Sequence, residues 1–340
     1  MTMGGDRSFS LRLYRSLDPL GQDQGLALAI GNFDGVHRGH QAILQATVEA
    51  SRRGGLTAAA LSFHPLPREY FAKVRGDESL APPRLMSSTE KLAAFHRAGI
   101  HHAFLPAFNA GFAAQSPADF IARLVEMKVR WLMVGEDFRF GARRAGDTAA
   151  LRAAGLQHGF AVETMADIVD VADGVAVRVS STAVREALAA GRLAEAARML
   201  GRRYAITGRV THGKKLGRTL GFPTANVSLG GRKPALAGVF AVKLRLVTRG
   251  LEGVASRVGD TLSGVANLGT NPAVRNQTAY DGRHHLEVFL FDYSGDLYGR
   301  RVEVEFFEKV RDEQNFASLD ALVVQMHDDC SEAKRILRGT

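Results

Sequence analysis

The sequence predicts an α/β domain with a doubly wound parallel sheet, followed by a small antiparallel β domain, a barrel or sandwich with a closing helix. Three observations carry this. Residues 26–165 alternate short apolar runs with helical stretches. From about residue 204 the chain turns to two-residue alternation with frequent glycine. The last stretch, "SLDALVVQMHDDCSEAKRIL", is amphipathic at helical spacing. A length of 340 residues fits two domains. We place them at 1–186 and 204–340, with a helical linker at 187–203.

The elements follow in order. "LALAIG" reads as a buried strand and "HQAILQATVEASRRGG" as a helix ending at glycines. "LTAAALSF" is a second strand. "SSTEKLAAFHRAGI" is a helix with a Ser/Thr cap and Glu90 in its first turn. "HHAFLPAF" and "RWLMVGEDF" are further strands, separated by the capped helix "SPADFIARLVEMKV". Strand-helix alternation of this kind builds a parallel sheet whose ligands sit beyond the carboxyl ends of its strands. "STAVREALAAGRLAEAARMLG" is helical. "YAITGRV", "GVFAVKLRLV", "LSGVANLG", "HHLEVFLFDY" and "RRVEVEFFEKV" read as antiparallel strands, with "SGDLYG" as a turn.

Composition narrows the function classes. Hydrophobic residues make up 46% and charged residues 23%, a globular balance. No apolar run reaches the ~18 residues of a membrane span. The net charge is +9, but its basic residues are scattered in short clusters such as "SRRGG" and "GKKLGR". None forms a nucleic-acid-binding tail, so we expect neither nucleic acid nor membrane as a partner. The N-terminus lacks a secretory apolar core. The single cysteine, Cys330, precludes an intrachain disulfide, and a cytoplasmic location is expected.

The first chemical motif is "IGNFDGVHRGH", residues 30–40. A strand ends at Ile30, Gly31 and Gly35 permit a tight turn, and a helix starts near Val36. His37 and His40 are three apart and share a face of the first helical turn. With the helix N-terminus they can address one phosphate. Gly39 between them leaves room for a nucleotide. Taken alone, the pair also fits two surface histidines, and a zinc site lacks further ligands at metal spacing.

The whole string resembles the GxFDxxHxGH signature of the nucleotidyltransferase superfamily, which is Rossmann-like and moves an AMP or CMP group onto a phosphate. The resemblance implies that Gly31, Phe33, Asp34, His37, Gly39 and His40 serve the nucleotide. "RVSSTAVREAL" at 178–188 resembles the SSTxxR motif of the same family. It implies phosphate-binding roles for Ser181 and Thr182, at an N-cap, and for Arg185 in the first turn, with Arg178 as a basic position just before. "VGEDFRFGARRAGD" at 134–147 resembles a segment that borders the site in this family. Asp137 is its candidate contact, with a turn-forming role as the alternative. "SFHPLPREYF" at 62–71 follows another strand end, and the role of His64 stays open.

The second motif is "GRVTHGKKLGRTLGFPTANV" at 208–227. Gly213, Gly217 and Gly221 are spaced four apart, with Lys215 among the basic residues between them. Such a loop can bring backbone donors and positive charge to a phosphate chain, although it is no Walker A sequence. Thr224 and Asn226 carry hard oxygen donors that suit Mg²⁺ shared with phosphates. Glu287, in a strand-like run, is either a rim charge or a general base.

With "GVFAV", "GVANLGTNP", "LEVFLFDYSGDLYG" and "VRDEQNF" in this order, the second half closely resembles riboflavin kinase. That resemblance implies Mg²⁺ at Thr224 and Asn226, and Glu287 as the base on the ribityl hydroxyl. It also implies Arg311 in the segment lining the flavin site. Together the halves resemble the bifunctional bacterial FAD synthetases. The expected activities are phosphorylation of riboflavin to FMN and adenylyl transfer from ATP to FMN. The expected partners are riboflavin, FMN and ATP; the oligomeric state is not legible. "NPAVRNQTAYDGRHHLEVF" departs from the family pattern, which bears on flavin affinity. The alternatives are a nucleotidyltransferase for another phosphorylated substrate and a flavin or nucleic-acid sensor on retired domains.

Overall fold

The computed structural model describes residues 10–19, 21, 24–172, 174–213, 222–249, 255–270 and 284–339. The chain divides into two compact units. The first holds the residues to Pro82 together with Ser88–Val179. The second holds Pro83–Ser87, Ser180–Gly250 and Ala255–Thr340.

The first unit is built on six strands: β1 (Arg12–Tyr14), β2 (Leu26–Ile30), β3 (Thr57–Leu61), β4 (His102–Phe104), β5 (Val129–Gly135) and β6 (Ala161–Met165). They pair in the order β1-β4-β3-β2-β5-β6, all parallel. Every residue of β2 is buried, as a central strand covered on both faces requires. Its helices are α1 (Arg38–Gly54), α2 (Pro67–Val74), α3 (Ser88–Arg97), α4 (Ala110–Ala114), α5 (Pro117–Glu126) and α6 (Thr148–His158). Gly55 ends α1 in the left-handed region at φ 60°, which a residue without Cβ adopts readily. Ser116 and Asp119 form a reciprocal capping box that starts α5. A two-stranded hairpin, β7 (Val169–Ala172) and β8 (Val175–Arg178), closes the unit.

From β2 the chain moves outward through β3 and β4; from β5 it moves the other way to β6. The strand order therefore reverses between β2 and β5, and in such sheets ligands bind beyond the carboxyl ends at that point. The sequence predicted four of these strands. β1 and β6 lie outside that prediction, because both are exposed or half-buried along their length and neither presents a buried apolar run.

The second unit begins with α7 (Ser181–Ala189) and α8 (Leu193–Leu200). The sequence read these as one helical stretch; Gly191, at φ 73°, separates them. Six antiparallel strands follow: β9 (Ala205–Thr211), β10 (Thr224–Val227), β11 (Gly238–Arg249), β12 (Ala255–Gly269), β13 (His285–Leu290) and β14 (Arg301–Arg311). Their order is β10-β13-β12-β11-β14-β9, and β9 pairs with both β10 and β14. The choice between barrel and sandwich thus falls to a closed barrel, which leaves no sheet edge.

Alternate residues such as Val227, Leu286, Val288, Phe240, Val304 and Phe306 are buried, as the period of two dictates. On the outer face, Ala333 and Leu337 of α9 (Leu319–Leu337) pack on Val239, Ala241 and Val265. The helix is held by an ion pair. Arg311 at the end of β14 donates to both carboxylate oxygens of Asp329 at 2.8 and 2.7 Å, and Gln325 donates to the same group at 3.1 Å. Among the described residues no helix is long and apolar enough to cross a membrane.

The ion pair is well shielded, with the Asp329 side chain 6% exposed and that of Arg311 16%. Removing one partner leaves the other charge buried and uncompensated. Asp329→Ala is expected to destabilise the barrel unit by about 3 kcal/mol, measured by urea unfolding. By contrast, the exposed Arg123–Glu126 pair is worth less than about 1 kcal/mol.

Candidate functional site

The first candidate site lies at the strand-order reversal. After β2 the chain makes a tight corner in which Phe33, Gly35 and Val36 all take positive φ, at 46°, 82° and 42°. Two of these are side-chain-bearing residues in a region they rarely enter, so the corner is held by its packing. Phe33 is fully buried, with Phe95 of α3 edge-on at 5.2 Å and His40 at 5.1 Å. Asp34 is buried beside it.

Helix α1 begins at Arg38 rather than near Val36, and His37 is its N-cap. The His37 Nδ1 accepts the backbone N–H of His40 at 3.4 Å. A neutral His37 ring therefore carries its proton on Nε2 as a donor. The two imidazoles stack at 3.8 Å between centroids and 21° between planes. His40 is half-buried, and its Nδ1, itself shielded from solvent, has no hydrogen-bond partner. Burial, then the neighbouring His37, then Lys91 push its pKa well below the usual histidine value, so the ring is neutral at pH 7. A Cβ at Gly39 would press on the His37 ring at 3.2 Å. Gly39 thus makes room for that ring. A Cβ at Gly31 would likewise crowd Phe33.

Asp137, after β5, and Arg178, at the end of β8, pair with each other. Arg178 donates to Asp137 at 2.9 Å and contacts Asp167 at 2.8 Å, both exposed. Ser181, Thr182 and Arg185 lie on α7, in the second unit. The cap there is Ser180, whose Oγ accepts from Ala183, and not Ser181 or Thr182 as the sequence suggested. Arg185 sits one turn further on and donates to the carbonyl of Pro83 at 2.6 Å. His64 lies against Ser88, 3.2 Å from its hydroxyl.

An aromatic cluster at the carboxyl edge of the sheet escaped the sequence reading. Phe63 follows β3, Tyr70 and Phe71 lie on α2, and Phe108 and Phe112 follow β4. Their ring centroids stand 5.2–5.9 Å apart. Phe71 is 46% exposed, so the cluster keeps an open apolar face. A cavity of about 290 Å³ with Arg15, Gln115 and Arg123 in its wall adjoins it at Phe112. The available signal was aromatic residues just past the ends of two successive strands.

The second candidate site is on the outer face of the barrel. Asn226 of β10 stands opposite Glu287 of β13, and Glu287 stands opposite Asn267 of β12. Directly opposed residues share a face, so the carboxylate lies between two carboxamides in one row. Thr224 shares the face of Asn226 two residues away, opposite Phe289. Phe222 packs on Phe289 at 5.1 Å and on His327 of α9 at 4.9 Å. The sequence missed Asn267; its signal was a polar side chain amid the strand "GVANLG". Arg311 is engaged by Asp329, so its guanidinium fixes α9.

A hard cation fits this donor set. Thr224 and Asn226 offer neutral oxygens on one face, and Glu287 stands opposite Asn226. A Cβ at Gly213 would run into the Asn226 carboxamide, so glycine lets the loop approach it closely. No cluster of three or more His, Cys, Asp or Glu suited to a metal occurs among the described residues. A cation here needs further oxygen ligands from a bound phosphate chain. Lys215, Gly217, Gly221 and the departures at 271–283 lie outside the described residues.

Comparison with known proteins now adds a family. A family model described as FAD synthetase matches residues 20–183, and one described as riboflavin kinase matches 200–337. A curated bifunctional riboflavin kinase/FMN adenylyltransferase of Escherichia coli is 42% identical over 94% of this chain and 96% of its own length. The Pseudomonas fluorescens protein of the same name is 42% identical over 96% and 98%. A crystal structure of a macrolide-efflux protein from Streptococcus pneumoniae aligns with 96% of this chain and 99% of its own, with a TM-score of 0.74 at 25% identity. With two family models in tandem and full-length relatives at this identity, the chain belongs to the bifunctional riboflavin kinase/FMN adenylyltransferase family.

Proposed function

We propose that the chain performs two successive transfers, each with its own residues. The barrel unit phosphorylates riboflavin with ATP and gives FMN and ADP. The parallel-sheet unit transfers AMP from a second ATP to FMN and gives FAD and pyrophosphate. The observation that carries this reading is the separation of chemistry by unit. The stacked His37–His40 pair belongs to the first, and the Asn226–Glu287–Asn267 row to the second.

The two reactions ask for different groups. Riboflavin presents a neutral ribityl hydroxyl, which loses a proton as its oxygen attacks the γ-phosphorus and ADP leaves. Glu287 accepts that proton, while Asn226 and Asn267 on either side orient the carboxylate. Thr224 and Asn226 hold Mg²⁺, which when bound neutralises charge on the nucleotide phosphates. Gly213, Lys215, Gly217 and Gly221 receive the nucleotide. Arg311 serves the flavin side by holding α9 through Asp329.

FMN presents a phosphate that is already anionic, so adenylyl transfer needs no base. One of its oxygens bonds to the α-phosphorus of ATP as the bond to pyrophosphate breaks. The barrier is repulsion between two anions and the shift of charge onto the leaving group. His37 and the neutral His40 donate hydrogen bonds to those oxygens at the head of α1. The corner of Gly31, Phe33 and Asp34, with Gly39, sets the two rings. Arg178 binds ATP phosphates, and Asp137 borders the ligand. The isoalloxazine ring of FMN lies on the open face of the Phe63–Phe71–Phe108–Phe112 cluster. Cytoplasmic residence accords with the single Cys330, whose thiol is pushed up to about 11 by burial and then by Asp329, and so stays protonated.

These assignments separate by mutation, with riboflavin, FMN and FAD resolved by chromatography. Glu287→Gln is expected to lower FMN formation at least about 100-fold while supplied FMN still becomes FAD. The double variant His37→Ala, His40→Ala is expected to do the reverse, with FAD formation down at least about 100-fold. Loss of both reactions in either folded variant contradicts the assignment. Phe71→Ala is expected to raise KM for FMN in adenylyl transfer about tenfold and to leave riboflavin phosphorylation unchanged.

A further inference from the structure

Lys91 is a buried cation that the reaction above does not use. It lies on α3, only 4% exposed, where a lysine is rarely found. Its Nζ donates to the carbonyl of Asn32 at 2.7 Å and to the Ser62 hydroxyl at 2.8 Å. Asn32 is the residue before Phe33, at the start of the corner; Ser62 immediately follows β3. The same helix supplies Phe95, which packs on Phe33, which packs on His40. Helix α3 therefore reaches the histidine pair by two routes, one of rings and one of hydrogen bonds.

The corner has a brace without the lysine. Ser62 Oγ donates to the same Asn32 carbonyl at 3.0 Å. An apolar side chain of similar length would fill the space beside it without the cost of burying an ammonium. What the lysine adds is a fixed positive charge behind the rings, in a poorly screened interior at the carboxyl ends of β2 and β3. That is where a polyanion is handled under the reading proposed above, on which this inference rests.

We propose that Lys91 is a positioning residue for adenylyl transfer: its buried ammonium fixes the Asn32–Phe33 corner on which the stacked His37–His40 pair is set. It touches neither substrate. The titratable or charged groups bearing on His40 are His37 from the cap of α1 and Lys91 from α3. With Lys91 gone, His40 takes a proton more readily and its pKa rises. The acid limb of the pH profile then moves to higher pH.

The test uses the full chain, with riboflavin phosphorylation as an internal control on the same preparation. Lys91→Met is expected to lower kcat for FMN to FAD about 10- to 100-fold. It should move the acid limb of that reaction to higher pH and leave FMN formation within twofold. Lys91→Arg, which keeps the charge, is expected to recover a large part of the rate and the original limb. The proposal is overturned if Lys91→Met stays within threefold of the parent, or if the rate falls equally at every pH. It is also overturned if Lys91→Arg is no better than Lys91→Met, or if both variants lose both activities together, which marks a role in stability. If the parent protein itself fails to convert FMN, the reading of the histidine site fails instead.

Discussion

A slip of one residue between β13 and its neighbours would turn Glu287 into the barrel interior and bring Leu286 and Val288 out. The apolar pattern forbids it, because those two leucine and valine side chains are almost completely buried. Strand register, fixed by the core, thus sets which residues meet on the outer face. In the first unit the same constraint acts through strand direction. Parallel pairing sends all six carboxyl ends to one edge, and the order reverses between β2 and β5, the point at which such sheets take their ligands. In both units the chemistry sits on geometry enforced by residues that take no part in it.

Much of this was legible in the sequence. The central strands and the capped helices carry strong periodicity and local start signals, so they could be read directly. The two motif sets singled out His37, His40, Thr224, Asn226 and Glu287 as candidates, because phosphate and cation chemistry constrains residue type and spacing at once. What escaped depends on distant pairing. Asn267 matters through its register with β13, 20 residues further along the chain. The phenylalanine cluster gathers side chains from separate strand ends, and no single window contains it. The partnerships Arg311–Asp329 and Arg178–Asp137 are of the same kind. Sequence indicated that these charges lie near a site but not that each is held by another side chain.

The contrast between the two sites follows from the nucleophiles. A hydroxyl calls for a carboxylate to remove its proton, and the barrel places one between two carboxamides. A phosphate calls for donors that do not titrate at neutral pH, and burial keeps His40 in that state. Stacking at 3.8 Å acts in the same direction, since two charged imidazoles at that distance repel. A lysine braced behind the corner fits this scheme: it adds positive charge without exposing an acid to the substrate.

The central claim is that each reaction is complete on its own residues and that free FMN joins them. Complementation in trans tests it most directly. Glu287→Gln and the His37→Ala, His40→Ala double variant are incubated with riboflavin, ATP and Mg²⁺, first separately and then together, and flavins are followed over time. Very little FAD is expected from riboflavin in either separate reaction, and FMN followed by FAD in the mixture. A mixture of folded variants that accumulates FMN but makes no FAD would contradict that claim.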